Sequence, residues 1–148
     1  MKKQSGFTLI ELLLVLAIIG IISAIAIPAL LGQRERAKAK AVQANVDAIA
    51  GECARVNDQQ KEAGTVITAG SVVAMVLQLS NYSLPNAKNP YNGAQVAYAT
   101  AGSTTGQVVA VGNAVTDVTG SAYSGVTITG FYLVGGSPAS LMKVVALD

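Results

Sequence analysis

Residues 7–31 read FTLIELLLVLAIIGIISAIAIPALL, and this stretch decides the architecture. Only Thr8, Glu11, Gly20, Ser23 and Pro28 interrupt an otherwise apolar run. A helix of about 25 residues is ~37 Å long, enough to cross a hydrocarbon core of ~30 Å. A secretory signal would carry an apolar core of only ~7–15 residues before a small-residue cleavage site. This run is longer and passes without a break into a further helical pattern, so cleavage at its far end would cut a helix in two. The reading is therefore a membrane-spanning helix with one anomaly. A carboxylate deep in a bilayer costs on the order of 2.5–3.5 kcal/mol, and Glu11 needs a reason to be there.

Beyond the apolar block, Ala39, Val42, Val46, Ile49, Cys53 and Val56 recur in steps of three and four. That is an amphipathic stripe made to pack on a partner surface. Glu35–Lys38, Glu52–Arg55 and Asp58–Lys61 stand three apart and predict helix-supporting ion pairs. Together these features predict one helix from Phe7 to Lys61, ending near Gly64. Such a helix is far longer than the ~11–12 residues usual in globular domains. Pro28 cannot donate to the carbonyl of Ala24, so a kink or local melting is expected there, with Gly20 and Gly32 loosening the same stretch.

The remainder changes character. Ser71 is expected to cap a short helix reaching Leu79, with Val72, Val73, Val76 and Leu79 on one face. A turn-rich loop follows, SLPNAKNPYNG at 83–93. Then come the strand-like runs AQVAYAT (94–100), GQVVAVG (106–112), GVTITGFYLVG (125–135) and SLMKVVAL (140–147). Turn-forming residues at short intervals predict an antiparallel sheet, and the stripe on the long helix is its natural partner. The fold class is thus α+β, and the chain divides into a short leading peptide (1–6), a hydrophobic helix (7–32), its amphipathic continuation (33–63) and a globular head (64–148).

Composition narrows the chemistry. The 148 residues include no histidine and one cysteine, Cys53. His-based proton transfer, Cys–His nucleophiles, cysteine-based zinc sites and intrachain disulfides are all removed. Cys53 reads as a small buried hydrophobe. From Ala63 onward only Lys88, Asp117, Lys143 and Asp148 are charged, which leaves no basic patch for nucleic acid. Glu62, Asp117 and Asp148 are too scattered to converge on calcium. No cofactor, metal or catalytic pair is expected, and a membrane-anchored enzyme is the weakest reading. Asn81-Tyr82-Ser83 fits a glycosylation triplet, a pattern short enough to arise by chance. Charge does not orient the segment: Lys2 and Lys3 precede it, while Arg34, Arg36, Lys38 and Lys40 follow it, diluted by Glu35.

The segment GFTLIELLLVLAIIGIISAIAIP, with the leader MKKQSG before it, resembles the N-terminus of type IV pilins and of the related type II secretion pseudopilins. Gly6, Phe7, Glu11 and Pro28 fall at the family's spacing. The resemblance implies cleavage between Gly6 and Phe7 by a membrane-embedded prepilin peptidase, which also methylates the new amine of Phe7. It places the head outside the inner membrane before assembly and in an extracellular filament after it. It further implies an assembly ATPase and an inner-membrane platform as partners.

In a cleaved chain Phe7 would carry an amine of unperturbed pKa about 7.7–8.0, cationic at neutral pH. Glu11 stands about one turn further on. The family picture makes Glu11 the salt-bridge partner of that amine, in a neighbouring subunit or in the same chain. Two charges in apolar surroundings are strongly driven to meet. The reading is a major pilin, a structural subunit of a helical homopolymer. The alternatives are a type II secretion pseudopilin, against which the missing acidic calcium loop weighs, and a minor pilin. The helix has no aromatic residue after Phe7, so no chain of stacked rings runs along such a fibre.

Overall fold

A computed structural model of the protein describes residues 6–78, 87–116 and 119–147. Lys2, Lys3, Leu79, the triplet at 81–83, Asp117 and Asp148 lie outside the described residues. The chain divides into two compact units, Met1–Arg34 and Glu35–Asp148.

Helix α1 runs unbroken from Leu9 to Glu62 and contains Pro28, within two residues of the expected span. Its end is built by two backbone bonds, Gly64 N–H to the Lys61 carbonyl (3.0 Å) and Thr65 N–H to the Gln60 carbonyl (2.9 Å), with Gly64 at φ 69°. This is the Schellman arrangement, which satisfies carbonyls that the helix itself leaves unpaired. Val42, Val46, Ile49, Cys53 and Val56 are all buried, joined by Ala50 and Asn57. Of the three expected ion pairs on α1, Glu52–Arg55 forms at 2.8 Å. Glu35–Lys38 and Asp58–Lys61 do not close among the described residues, and Lys38 stands instead over the ring of Tyr91, 5.2 Å from its centroid.

Helix α2 spans Ala69–Gln78 and begins two residues before the expected cap. Thr68 is the N-cap: its hydroxyl accepts the N–H of Ser71 at 3.3 Å and lies 3.0 Å from the Ser71 hydroxyl. Ser71 is thus the third helical residue, and the expectation that it caps the helix is corrected. Val72, Val73 and Val76 are buried as expected.

The sheet has four strands in the order β1 (Tyr98–Ala99), β2 (Val108–Thr116), β3 (Ala122–Val134) and β4 (Ser137–Ala146). The three long strands are antiparallel neighbours. The expected all-antiparallel pattern has one departure, the two-residue β1, which pairs parallel to β2. The connection over 100–107 returns the chain to the starting end of β1, so the two strands run the same way for two residues. β4 is an edge strand, which tolerates Pro138. Val108, Ala110, Val126 and Ile128 on one face join Val42, Val46, Ile49 and Cys53 of α1 and Val72 and Val76 of α2 in a single core.

Asn89 anchors the loop that carries Tyr91. Its side-chain amide donates to the Thr105 carbonyl at 2.9 Å, and its carbonyl oxygen accepts the N–H groups of Tyr91 (2.8 Å) and Asn92 (3.1 Å). Tyr91 then accepts the Leu133 N–H through its hydroxyl at 3.1 Å. A 2 % exposed amide with every group used is a rigid join between two loops and β3.

Candidate assembly site

Thr8 precedes the first residue of α1, and Glu11 is the third residue within it. The Thr8 N–H donates to Glu11 Oε2 at 2.9 Å, the Thr8 hydroxyl donates to the same oxygen at 2.8 Å, and the Glu11 N–H approaches the Thr8 hydroxyl oxygen at 3.3 Å. This reciprocal arrangement is a capping box. Its signature, Thr-Leu-Ile-Glu at 8–11, stands in the sequence as Thr-x-x-Glu, hidden within the apolar run. The carboxylate therefore has a local task, satisfying donors at the positive end of the helix.

The cap occupies only one oxygen: Glu11 Oε1 has no partner among the described residues. In this chain the nitrogen of Phe7 is a peptide amide, because Gly6 is still attached, so the structure brings Glu11 to Thr8 and not to a Phe7 amine. Gly6 and Phe7 are exposed ahead of the helix in backbone without regular structure. An accessible bond outside regular structure is what a protease needs.

Within the first unit the apolar surface of α1 is uncovered. Leu9, Ile10, Leu14, Ile18, Ile25 and Leu31 are each more than half exposed, except Ile18 at 49 %. The helix is long and apolar enough to cross a membrane, and none of its apolar window is buried. A helix that is hydrophobic all round requires either lipid or other chains about it. Gly20 and Pro28 both sit inside this stretch, and the helix is continuous through them.

In the second unit a groove of about 360 Å³ is lined by Asn57, Lys61, Gly64, Thr65, Val66, Ile67 and Leu147. Lys61 is the one titratable group among the described residues that line it. A second, open hollow beside Phe131 and Pro138 has hydroxyl-bearing walls and no titratable group. Neither places a nucleophile beside a base. Burial pushes the Cys53 thiol up to about 11, with the neighbouring Glu52 carboxylate adding to the effect, so it stays protonated and inert. Among the described residues, no three His, Cys, Asp or Glu side chains gather as metal ligands.

Residues 1–27 match the prokaryotic N-terminal methylation motif. The chain is similar to the type II secretion system core protein G of Aeromonas hydrophila, 35 % identical over 89 residues, covering 60 % of this chain and 44 % of that protein. It is similar to the type IV wide pilus major component of Thermus thermophilus, 54 % identical over 44 residues, 30 % of this chain and 34 % of that protein. It is similar to a fimbrial protein of Pseudomonas aeruginosa, 75 % identical over 28 residues, 19 % of this chain and 18 % of that protein. The matches span about a third of the length of the curated relatives first in rank, 34 % in the core protein G of Pseudomonas aeruginosa. No solved structure matches the chain.

Proposed function

We propose that this chain is a structural subunit of a pilin-type filament, anchored in the inner membrane by residues 7–32 before assembly and held in the fibre by the same residues afterwards. The uncovered apolar helix that opens with Glu11 carries this reading. Assembly exchanges lipid contact for helix–helix contact, so the apolar surface remains out of water at every stage. The N-terminal methylation motif supports cleavage between Gly6 and Phe7 and methylation of Phe7, with a prepilin peptidase as the processing partner. An assembly ATPase and a membrane platform follow from the family resemblance. A contact of this kind that does not close into a ring generates a helical fibre.

Glu11 then has two successive partners. Before cleavage it caps α1 through Thr8; after cleavage its unused oxygen is available to a cationic Phe7 amine of a neighbouring subunit. Gly20 and Pro28 are the positions where the helix can bend or melt during insertion into the fibre. The head presents neutral surfaces to solvent. A major pilin is the first reading. The second, a subunit of a secretion pseudopilus, draws on the match to core protein G, which extends beyond the shared N-terminus to 89 residues.

The test is the intact mass of the protein in fibres sheared from the cell surface. A mass equal to residues Phe7–Asp148 plus one methyl group is the expected result. A cleaved chain found only in membranes transfers the reading to the pseudopilus, and an uncleaved chain in either fraction overturns it.

A further inference from the structure

Asn57 stands in the last turns of α1 and is 7 % exposed, yet its side-chain amide makes no hydrogen bond among the described residues. In this it differs from Asn89, whose amide is fully used. No side-chain nitrogen or oxygen sealed from solvent lacks a partner among the described residues. The Asn57 amide therefore keeps an opening, and the groove of about 360 Å³ that it lines is that opening. A nearly buried amide with a free donor and a free acceptor, facing a hollow, is a hydrogen-bonding position awaiting a partner.

The rest of the groove adds charge and apolar surface. Lys61 lies one turn beyond Asn57 on the same face, exposed and without an ion pair among the described residues. No carboxylate stands among the described residues that line the groove. Val66, Ile67 and Leu147 supply its apolar wall, and Val66 is 100 % exposed, so an apolar ligand takes that surface out of water. Two backbone bonds fix the walls: Thr65 N–H to the Gln60 carbonyl and Leu147 N–H to the Ser124 carbonyl, both 2.9 Å. A site held in this way has little ordering to undergo on binding.

We infer that this groove binds the free C-terminal end of an apolar peptide, with its carboxylate at the Lys61 ammonium, a peptide group at Asn57 and its last side chains against Val66, Ile67 and Leu147. Asn57 decides the class of ligand. A carboxylate alone only accepts hydrogen bonds and would leave the amide oxygen unpaired. A peptide group accepts from the Asn57 NH₂ through its carbonyl and donates its N–H to Asn57 Oδ1. Lys61 then favours a chain that ends over one that continues, because its contact with a free carboxylate is charge-assisted. The spacing agrees. Asn57 and Lys61 are ~6 Å apart along the helix axis, and extended peptide covers ~3.5 Å per residue, so one to two residues separate the two contacts. The groove lies wholly within the second unit; it needs no second copy of the chain and does not depend on the filament reading.

The test uses the full chain in lipid nanodiscs and the peptide fluorescein-Gly-Ser-Val-Leu, followed by fluorescence anisotropy against nanodiscs without protein. Saturable binding is expected, at least about tenfold weaker for the same peptide with an amidated C-terminus and for Lys61→Gln, since each removes one side of the charge pair. Asn57→Ala breaks no hydrogen bond within the chain and should bind at least about tenfold more weakly, a peptide group then being left unpaired. Val66→Glu, at a fully exposed position that leaves the fold intact, should repel the peptide carboxylate. Octanoate has the carboxylate and an apolar body but no amide, and should compete poorly with the peptide. Absence of saturable binding up to about 1 mM peptide, equal binding of the amidated form, or full affinity in Asn57→Ala overturns the inference. Octanoate competing as well as the unlabelled peptide also overturns it, since Asn57 would then play no part in recognition.

Discussion

Gly130 on β3 lies directly against Val46 on α1: a Cβ built on Gly130 would stand 2.7 Å from Val46 Cγ2, with Val42 Cγ1 at 2.9 Å. The helix thus rests on the sheet at a position of β3 that has no side chain to hold it off. This contact joins the stripe of α1 to the head. Gly130→Ala is expected to lower stability by about 1–3 kcal/mol, the usual cost of overpacking. Combining it with Val46→Ala should recover part of the loss, because the two residues compete for one space. Denaturant titration of the detergent-solubilised chain, followed by near-ultraviolet tyrosine signal, measures both. Equal stability of Gly130→Ala and the unaltered chain would show that the helix can lift away freely.

Asn89 predicts a second, chemically different weakness. Asn89→Ala removes the donor to the Thr105 carbonyl and the acceptor for the Tyr91 and Asn92 N–H groups. Buried backbone groups left unpaired cost about 1–3 kcal/mol each, less where water reaches them. We expect a loss of about 2–3 kcal/mol in the same titration, within that range, and faster proteolysis at 87–97. Asn89→Asp keeps the acceptor and loses the donor, so it should fall between the two.

Expectation and structure agree where the deciding interactions are short in range. The buried stripe of α1, its end at Gly64 and the existence of the three long strands are carried by periodicity and turn residues within a few positions of one another. The capping box at Thr8 and Glu11 was equally local; its signature is masked by the apolar run around it, where a carboxylate reads first as a problem of solvation. The start of α2 was displaced because Thr68 and Ser71 are both competent caps, and the burial of Ala69 and Val72 against the sheet selects Thr68. By contrast, Lys143 meets Asp47 across ninety-six residues, and β1 turns parallel through a two-residue ladder. Nothing in local pattern encodes those partners. Asn89 falls between: its loop is legible as a loop, but its buried amide depends on Thr105 from a separate turn.

Cys53 gives a prediction in pH. Its thiol rises from 9.0 to about 11 in the folded chain because burial disfavours the thiolate. The folded state therefore holds this proton more tightly than the unfolded state. Its contribution is complete below pH 9 and is lost as pH rises towards 11. Burial raises Tyr98 also, which acts in the same direction. The unfolding midpoint should fall across that window, and Cys53→Ala should flatten the decline while lowering stability at neutral pH. Thiol reagents at pH 8 should label Cys53 only after denaturation; rapid labelling of the native chain would contradict its burial.

The two tasks assigned to Glu11 can be separated by two substitutions. Glu11→Gln retains an oxygen that can accept from the Thr8 N–H and hydroxyl, as Gln does at this position of a capping box, but it has no charge to offer a neighbour's Phe7 amine. Thr8→Ala removes the hydroxyl of the cap at a cost of about 1 kcal/mol and leaves the carboxylate intact. If the charge drives assembly, Glu11→Gln should be processed and membrane-bound yet yield at least about tenfold fewer fibres, whereas Thr8→Ala should assemble with a small loss. Glu11→Ala, lacking both functions, should be no better than Glu11→Gln. The readout is the amount of mature chain in sheared fibres relative to membranes, with the mass of each variant confirming cleavage before Phe7. Normal fibre yield from Glu11→Gln, combined with a large defect in Thr8→Ala, would assign Glu11 to the helix start alone. In that case the membrane cost of the carboxylate would be offset within a single chain, and the intersubunit pairing would have no basis.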